Sequence, residues 1–293
     1  MEQSTLVTSA QLALMLDDTN SDVLVLDCRF NLQDPIVGRQ AFLQDHIPGA
    51  RFADLERDLS APAARYGGRH PLPEPGDFER FMRTAGAGEN TTVVVYDDQR
   101  QVFASRAWWL LRYFGHNRVM LLDGGYSAWQ EAGLPVQSGQ EHPTPAGSFR
   151  ALPQQGWTLA HDHIQAHIDN PPWQLVDARE PRRFEGLEEP MDPLAGHIPT
   201  AVNRPWQAMV DEQGFMKDKA ALESSWEEIP PRREIVCYCG SGVSACVNLL
   251  ALHLIGREAR LYPGSWSDWC AHILYPTSPE KPDNPAEPDQ SGR

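Results

Sequence analysis

Of the five cysteines in this 293-residue chain, Cys239 stands in surroundings suited to nucleophilic chemistry. It closes the apolar run Ile235-Val-Cys-Tyr238, which reads as a buried strand, and precedes Gly240-Ser-Gly-Val-Ser244, which reads as a tight loop opening into a helix. Backbone N–H groups of such a loop point inward and the helix adds positive potential, so an anionic sulfur is stabilised there. The thiolate is the attacking form of cysteine. Ser241 and Ser244 add hydroxyl donors, while Gly240 and Gly242 let backbone approach a substrate where a side chain would block it. A lone cysteine beside a glycine turn is ordinarily a small core residue. Two glycines, two hydroxyls and the strand-to-helix switch favour reactivity here, provided that the thiol faces amide protons and is open to solvent.

The elements that position this loop occur twice. In the first half, strands are expected at 23–27, 92–97 and 119–123, with helices over 9–16 (capped by Ser9), 76–85 and 104–113. In the second, Asp177-Ala-Arg179 answers Asp27-Cys-Arg29, and His197-Ile-Pro answers His46-Ile-Pro. Cys239 answers Asp97, and Gly264-Ser-Trp answers Gly124-Gly-Tyr. Four landmarks in one order, about 140 to 150 residues apart, imply a duplicated domain. Alternating strands and helices predict an α/β fold of two tandem domains, each a mainly parallel sheet flanked by helices. The boundaries fall at 1–136, a polar Gly- and Pro-bearing linker at 137–155, a catalytic domain at 156–275, and a Pro-rich tail at 276–293 expected to be disordered. With Asp97 in place of the thiol, the first domain is given a structural role and one wall of the cleft.

The loop from Cys239 to Ala245, set in this tandem plan, resembles the active-site loop of the rhodanese sulfurtransferases, in particular the 3-mercaptopyruvate branch. The thiosulfate branch more often carries cations in this loop. The resemblance implies rhodanese-like domains and an enzyme without a cofactor or metal. It would move sulfane sulfur from 3-mercaptopyruvate, through a Cys239 persulfide, to a thiol such as thioredoxin or glutathione, or to cyanide. It also implies a relay in which Ser241 acts with His70 and with Glu56, where the family has an aspartate. Arg183 is implied as the grip on the substrate carboxylate, with Gly240, Gly242, Val243 and Ser244 cradling the donor. A second family arginine is expected shortly after Arg183, but residues 188–193 are acidic, leaving Arg182 as the substitute. The alternatives are thiosulfate-to-cyanide transfer, which the uncharged loop disfavours, and a carrier that accepts persulfide without turnover. Phosphatases of related fold need a longer loop ending in arginine, and Ala245 stands there instead.

Repetition of Asp-x-Arg and of His46 and His197 in both halves, one of them without a nucleophile, makes these residues architectural. Cys237 and Cys246 read as core residues, and Trp266 as the tryptophan most suited to flank the cleft. A formal net charge of −15 argues against a nucleic-acid partner. No apolar run approaches the roughly 20 residues of a membrane span, and the N-terminus does not read as a signal peptide. The odd, irregularly spaced cysteines are expected to be reduced thiols of a cytoplasmic protein, without zinc-ligand spacing.

Overall fold

The computed structural model describes residues 4–141 and 143–276; the expected disorder of the tail from 277 onward lies outside the described residues. The first half runs β1 (Leu6–Val7), α1 (Ser9–Asp17), β2 (Val23–Asp27), α2 (Ile36–Gln44), β3 (Arg51–Phe52), α3 (Pro75–Thr84), β4 (Thr92–Tyr96), α4 (Val102–Tyr113), β5 (Val119–Leu122) and α5 (Gly125–Glu131). The second runs α6 (His161–Ala166), β6 (Trp173–Asp177), α7 (Pro181–Phe184), β7 (Val202–Asn203), a 3-10 turn (Trp206–Met209), α8 (Lys219–Trp226), β8 (Glu234–Tyr238), α9 (Ala245–Leu254), β9 (Arg260–Leu261) and α10 (Ser265–Leu274). Near-continuous β-branched runs such as Thr92–Tyr96 are buried on both faces, as parallel strands between helical layers must be.

Both sheets are parallel throughout, in the orders β1-β5-β4-β2-β3 and β7-β6-β8-β9. The second order repeats the first without β1, an edge strand of two residues too short for the sequence pattern to reveal. Helix α1 is capped by Thr8 rather than Ser9: the Thr8 hydroxyl and the Gln11 side chain exchange hydrogen bonds with each other's backbone N–H groups.

The repeated landmarks are braces between strand ends. Arg29 and Arg179 each grip the aspartate two residues earlier with Nη2–Oδ2 distances of 2.7 Å. Tyr96 and Tyr238, at matching strand ends, each accept the N–H of the isoleucine in His-Ile-Pro. His46 and His197 each bond a phenylalanine carbonyl at 2.7 Å and stack on that same ring.

The halves are not joined by a free tether. Helices α4 and α9 pack on one another, and one apolar core holds Leu26, Val95, Trp108 and Leu111 of the first half together with Cys237, Cys246 and Leu250 of the second. Residues 143–155 lie as a strap along the first domain. There Phe149 is buried, and the N–H groups of Gly147, Phe149, Leu152 and Gln154 donate to carbonyls of Arg83, Ala87, Phe114 and Tyr113.

Candidate active site

Strand β8 ends at Tyr238 and α9 begins at Ala245, so the intervening residues 239–244 cross from sheet to helix over the domain interface. The Cys239 backbone is held on both sides. Its N–H donates to Ser265 Oγ at 3.2 Å, and its carbonyl accepts from the Trp266 N–H at 3.0 Å. Ser265 takes a left-handed φ of +57° to do this, a conformation costly for a residue with a Cβ. In the first half Gly125 fills that position, with φ +61° and no room for a side chain against the Asp97 carbonyl. A serine where the repeat has glycine was the signal available in the sequence.

The thiol points into the loop: the Gly242 N–H meets Cys239 Sγ at 3.2 Å. Among the described residues, the N–H groups of Gly240, Ser241, Val243 and Ser244 make no hydrogen bond to the protein. The first domain shows what such a loop holds. There the Asp97 carboxylate itself accepts the N–H groups of Gln99, Gln101, Phe103 and Ala104 at 2.8–3.0 Å, filling the cradle at the start of α4. Burial nonetheless pushes the Asp97 carboxyl up to about 6, against the pull of those amides. The two halves thus carry one anion-binding device, closed by an internal carboxylate in the first and left to a sulfur in the second.

The expectation of a solvent-open thiol is not met, since Cys239 is 1% exposed. Beside the loop runs an arm of the first domain, residues 65–70, fastened to the second. The Tyr66 hydroxyl donates to the Tyr275 carbonyl, the Gly67 N–H to Asp268 Oδ1 and the Arg69 N–H to Ser267 Oγ. Gly68, with φ +83°, passes so close that a Cβ would lie 2.4 Å from the Gly264 carbonyl oxygen. Consecutive residues of the arm then meet consecutive residues of the loop. The Arg69 guanidinium lies against Gly240, and His70 Nδ1 sits 2.7 Å from Ser241 Oγ.

Beneath the arm, Arg106 of α4 is buried without a carboxylate partner among the described residues. It donates instead to carbonyls of Gly242, Leu59, His70 and Pro71, tying the loop to the arm. Burial lowers its pKa, and the neighbouring Cys246 and Cys239 sulfurs oppose that shift. Glu56 is not brought into this group. It is exposed beyond Asp54, whose carboxylate takes the Glu56 N–H, and its side chain makes no hydrogen bond to His70.

Arg183 lies beside Gly240, but not with its bidentate edge free: Nε and Nη2 are taken by Glu189 at 3.2 and 2.7 Å. Arg182 points to solvent and pairs with Glu188, so it does not supply the second arginine. Arg69, which pairs with Asp192, does so from the other domain. Spacing within the second half could not reveal it. The uncharged loop is consequently ringed by three guanidinium groups, Arg69, Arg106 and Arg183, which weakens the case against a dianionic donor.

Trp266 does not flank the thiol; it is buried over the Arg179 guanidinium, 5.0 Å from its ring centre, with Nε1 donating to the Leu194 carbonyl. Val243 is likewise packed into the core, and Ser244 heads α9 without a side-chain cap, so both face the loop through backbone. All five cysteines are free. Burial holds four of them as thiols, pushing Cys28 and Cys237 well up, Cys246 to about 12 and Cys270 to about 11. A cavity of about 670 Å³ lined by Trp108, Arg112, Trp157 and His253 lies at the far end of α4 and α9, away from Cys239.

Burial, with Arg106 and Arg69 nearby, lowers the His70 pKa to about 3. An unfolded histidine titrates near 6.5, so between about pH 6.5 and 3 the unfolded chain binds the extra proton and stability falls as pH falls; above that window the contribution is constant. Denaturant melts at pH 7 and pH 4.5 are expected to show a smaller acid loss in His70→Gln than in the parent. Equal losses would place His70 in a solvated setting.

An α/β pair of parallel-sheet domains with a thiol in an amide loop at their junction defines the class of protein. The Rhodanese-like domain model matches residues 8–132 and 160–272. The chain is 43% identical over 288 residues to the probable 3-mercaptopyruvate sulfurtransferase of Pseudomonas aeruginosa, covering 96% of this chain and 98% of that protein. It is 39% identical to the putative thiosulfate sulfurtransferase SseB of Mycobacterium tuberculosis, over 94% and 95% of the two chains. The crystal structure of SseA from Escherichia coli, titled as a 3-mercaptopyruvate sulfotransferase, superposes with a TM-score of 0.77 at 31% identity, covering 90% of this chain and all of that one. This chain belongs to the rhodanese family.

Proposed function

We propose that the protein is a sulfurtransferase that takes sulfur from 3-mercaptopyruvate onto Cys239 and passes it to an acceptor thiol, such as thioredoxin or glutathione, or to cyanide. The observation that supports this most is the Cys239 sulfur on the Gly242 N–H, within a loop whose other amides have no hydrogen-bond partner among the described residues. The thiolate attacks the donor sulfur. An S–S bond forms, the C–S bond breaks, and its electron pair leaves on carbon as the enolate of pyruvate, which takes up a proton. The acceptor thiolate then attacks the outer sulfur, and the electron pair of the S–S bond restores the Cys239 thiolate. In both states the amides of residues 240–244 hold the charge on sulfur. His70 stays neutral and takes the hydrogen bond of the Ser241 hydroxyl at Nδ1, which orients Ser241 Oγ toward the donor. The proton that the donor's thiol gives up is the one the enolate carbon gains. Five free cysteines are in keeping with a reducing cytoplasm.

A second reading, thiosulfate as donor, is favoured by the three guanidinium groups around the loop. Steady-state rates decide between them: kcat/KM with 3-mercaptopyruvate is expected to exceed that with thiosulfate by about tenfold or more, a difference of about 1.4 kcal/mol. The reverse order would replace the first reading with the second.

A further inference from the structure

We infer that the cavity at the far end of α4 and α9 is a second binding site, one that takes a small organic anion with its acidic head on Arg112 and a flat apolar body among the neighbouring tryptophans. The cavity measures about 670 Å³ and is lined from both halves, by Trp108, Trp109 and Arg112 of α4, by Trp157, and by His253 of α9. That volume falls among small-molecule sites, which run from about 300 to 1,000 Å³. A bare inorganic ion would leave most of it empty.

The head group is set by Arg112. Trp108 and Arg112 are four residues apart on α4 and so share a face. The guanidinium carbon lies 5.0 Å from the Trp108 ring centre and 5.6 Å from that of Trp157, so indoles of both halves hold the cation. No hydrogen bond or ion pair to the described residues engages its N–H donors. Arg106, on the same helix, instead donates to four carbonyls. Burial lowers the Arg112 pKa, with only the charge of Glu258 acting against it. A cation drawn from water without a partner is costly, and an anion entering the cavity supplies the partner through the planar fork.

The surroundings fit an anion with a flat body. A neighbouring cavity of about 390 Å³ shares Trp108, Arg112 and His253. Arg112, Arg118, Arg257 and Arg260 line the two against Glu234 and Glu258, and Glu234 already pairs with Arg260 at 2.7 Å. This is a positive balance in a chain of net charge −15. Burial, with Arg112 beside it, lowers the His253 pKa to about 4, so at neutral pH its ring is an uncharged wall, 5.3 Å from that of Trp108. The site is apart from the Cys239 loop, because α9 carries the chain away from that loop for ten residues, roughly 15 Å of helix.

Two fluorescent dyes of one shape test this on the native protein at pH 7: 8-anilinonaphthalene-1-sulfonate, and N-phenyl-1-naphthylamine, which lacks the sulfonate. The anionic dye is expected to saturate a site with Kd below about 100 µM. Arg112→Leu should weaken it about tenfold or more and the neutral dye less than about threefold, as loss of a charge-assisted grip predicts. Arg112→Lys should recover part of the loss. Glu258→Gln, an exposed change, should tighten the anionic dye about twofold to threefold and leave the neutral one alone, and it stands in if Arg112→Leu does not fold. Absence of saturable binding below about 1 mM, equal weakening of both dyes, or unchanged sulfonate affinity in Arg112→Leu or its stand-in overturns the assignment. So does a loss of affinity in Arg69→Gln, which would put the dye over the Cys239 loop instead.

Discussion

Cys239→Ser is expected to lower turnover with either donor by at least about a thousandfold and to abolish the sulfur adduct formed when the parent protein meets donor alone. The magnitude follows from the chemistry. A hydroxyl is a poor nucleophile without a strong base, and the nearest candidate, His70, bonds Ser241 rather than residue 239. Losing the covalent relay removes the divided pathway altogether, leaving only binding and amide stabilisation. Mass spectrometry of the intact chain reads the adduct, and adding a reduced dithiol reads its discharge. Cys28→Ala, altering a buried thiol of the first half, should leave both readouts within about twofold. An adduct that persists in Cys239→Ser would move the sulfur to another cysteine, and an adduct that forms in the parent but never discharges would favour a carrier over an enzyme.

The fold was legible in the sequence because its signals are local. Apolar runs ending in polar residues at Asp27, Asp97 and Asp177 marked strand ends, the second of them one residue beyond the observed end at Tyr96, and the repeated Asp-x-Arg and His-Ile-Pro marked braces that both halves need. The candidate loop was legible for the same reason, since strand, glycines and helix are contiguous from 234 to 254. What reaches the loop from elsewhere was not. His70 could be matched by order along the chain. Arg69 and Arg106 contact the loop through tertiary packing, from a docked arm and from the far side of α4. Glu56 matched by order and failed by geometry, because the turn capped by Asp54 leaves its side chain outside. The burial of Cys239 also escaped, since the thiol joins an apolar core drawn from both halves of the chain, which the residues around it in sequence do not reveal.

Gly242→Ala is expected to cost about 2–4 kcal/mol of stability and to lower kcat about a hundredfold. Two causes act together. Gly242 has φ +78°, where a residue with a Cβ is disfavoured by about 1–2 kcal/mol. Its added Cβ would also lie 2.4 Å from the Pro263 carbonyl oxygen, a backbone atom that cannot rotate away. Relief requires the loop to move, and this residue's N–H is the one on the Cys239 sulfur while its carbonyl is held by Arg106. A shift of about 1 Å misaligns the nucleophile, which is the origin of the expected loss in kcat. Gly256→Ala separates the two causes. Gly256 has φ +72° but open space around the added carbon, so it should lose about 1 kcal/mol and keep its kcat. Thermal melts and single-turnover rates of the two variants make the comparison. Equal activity in both would mean that the cradle tolerates displacement, and with it that the amide on sulfur contributes little to the transfer.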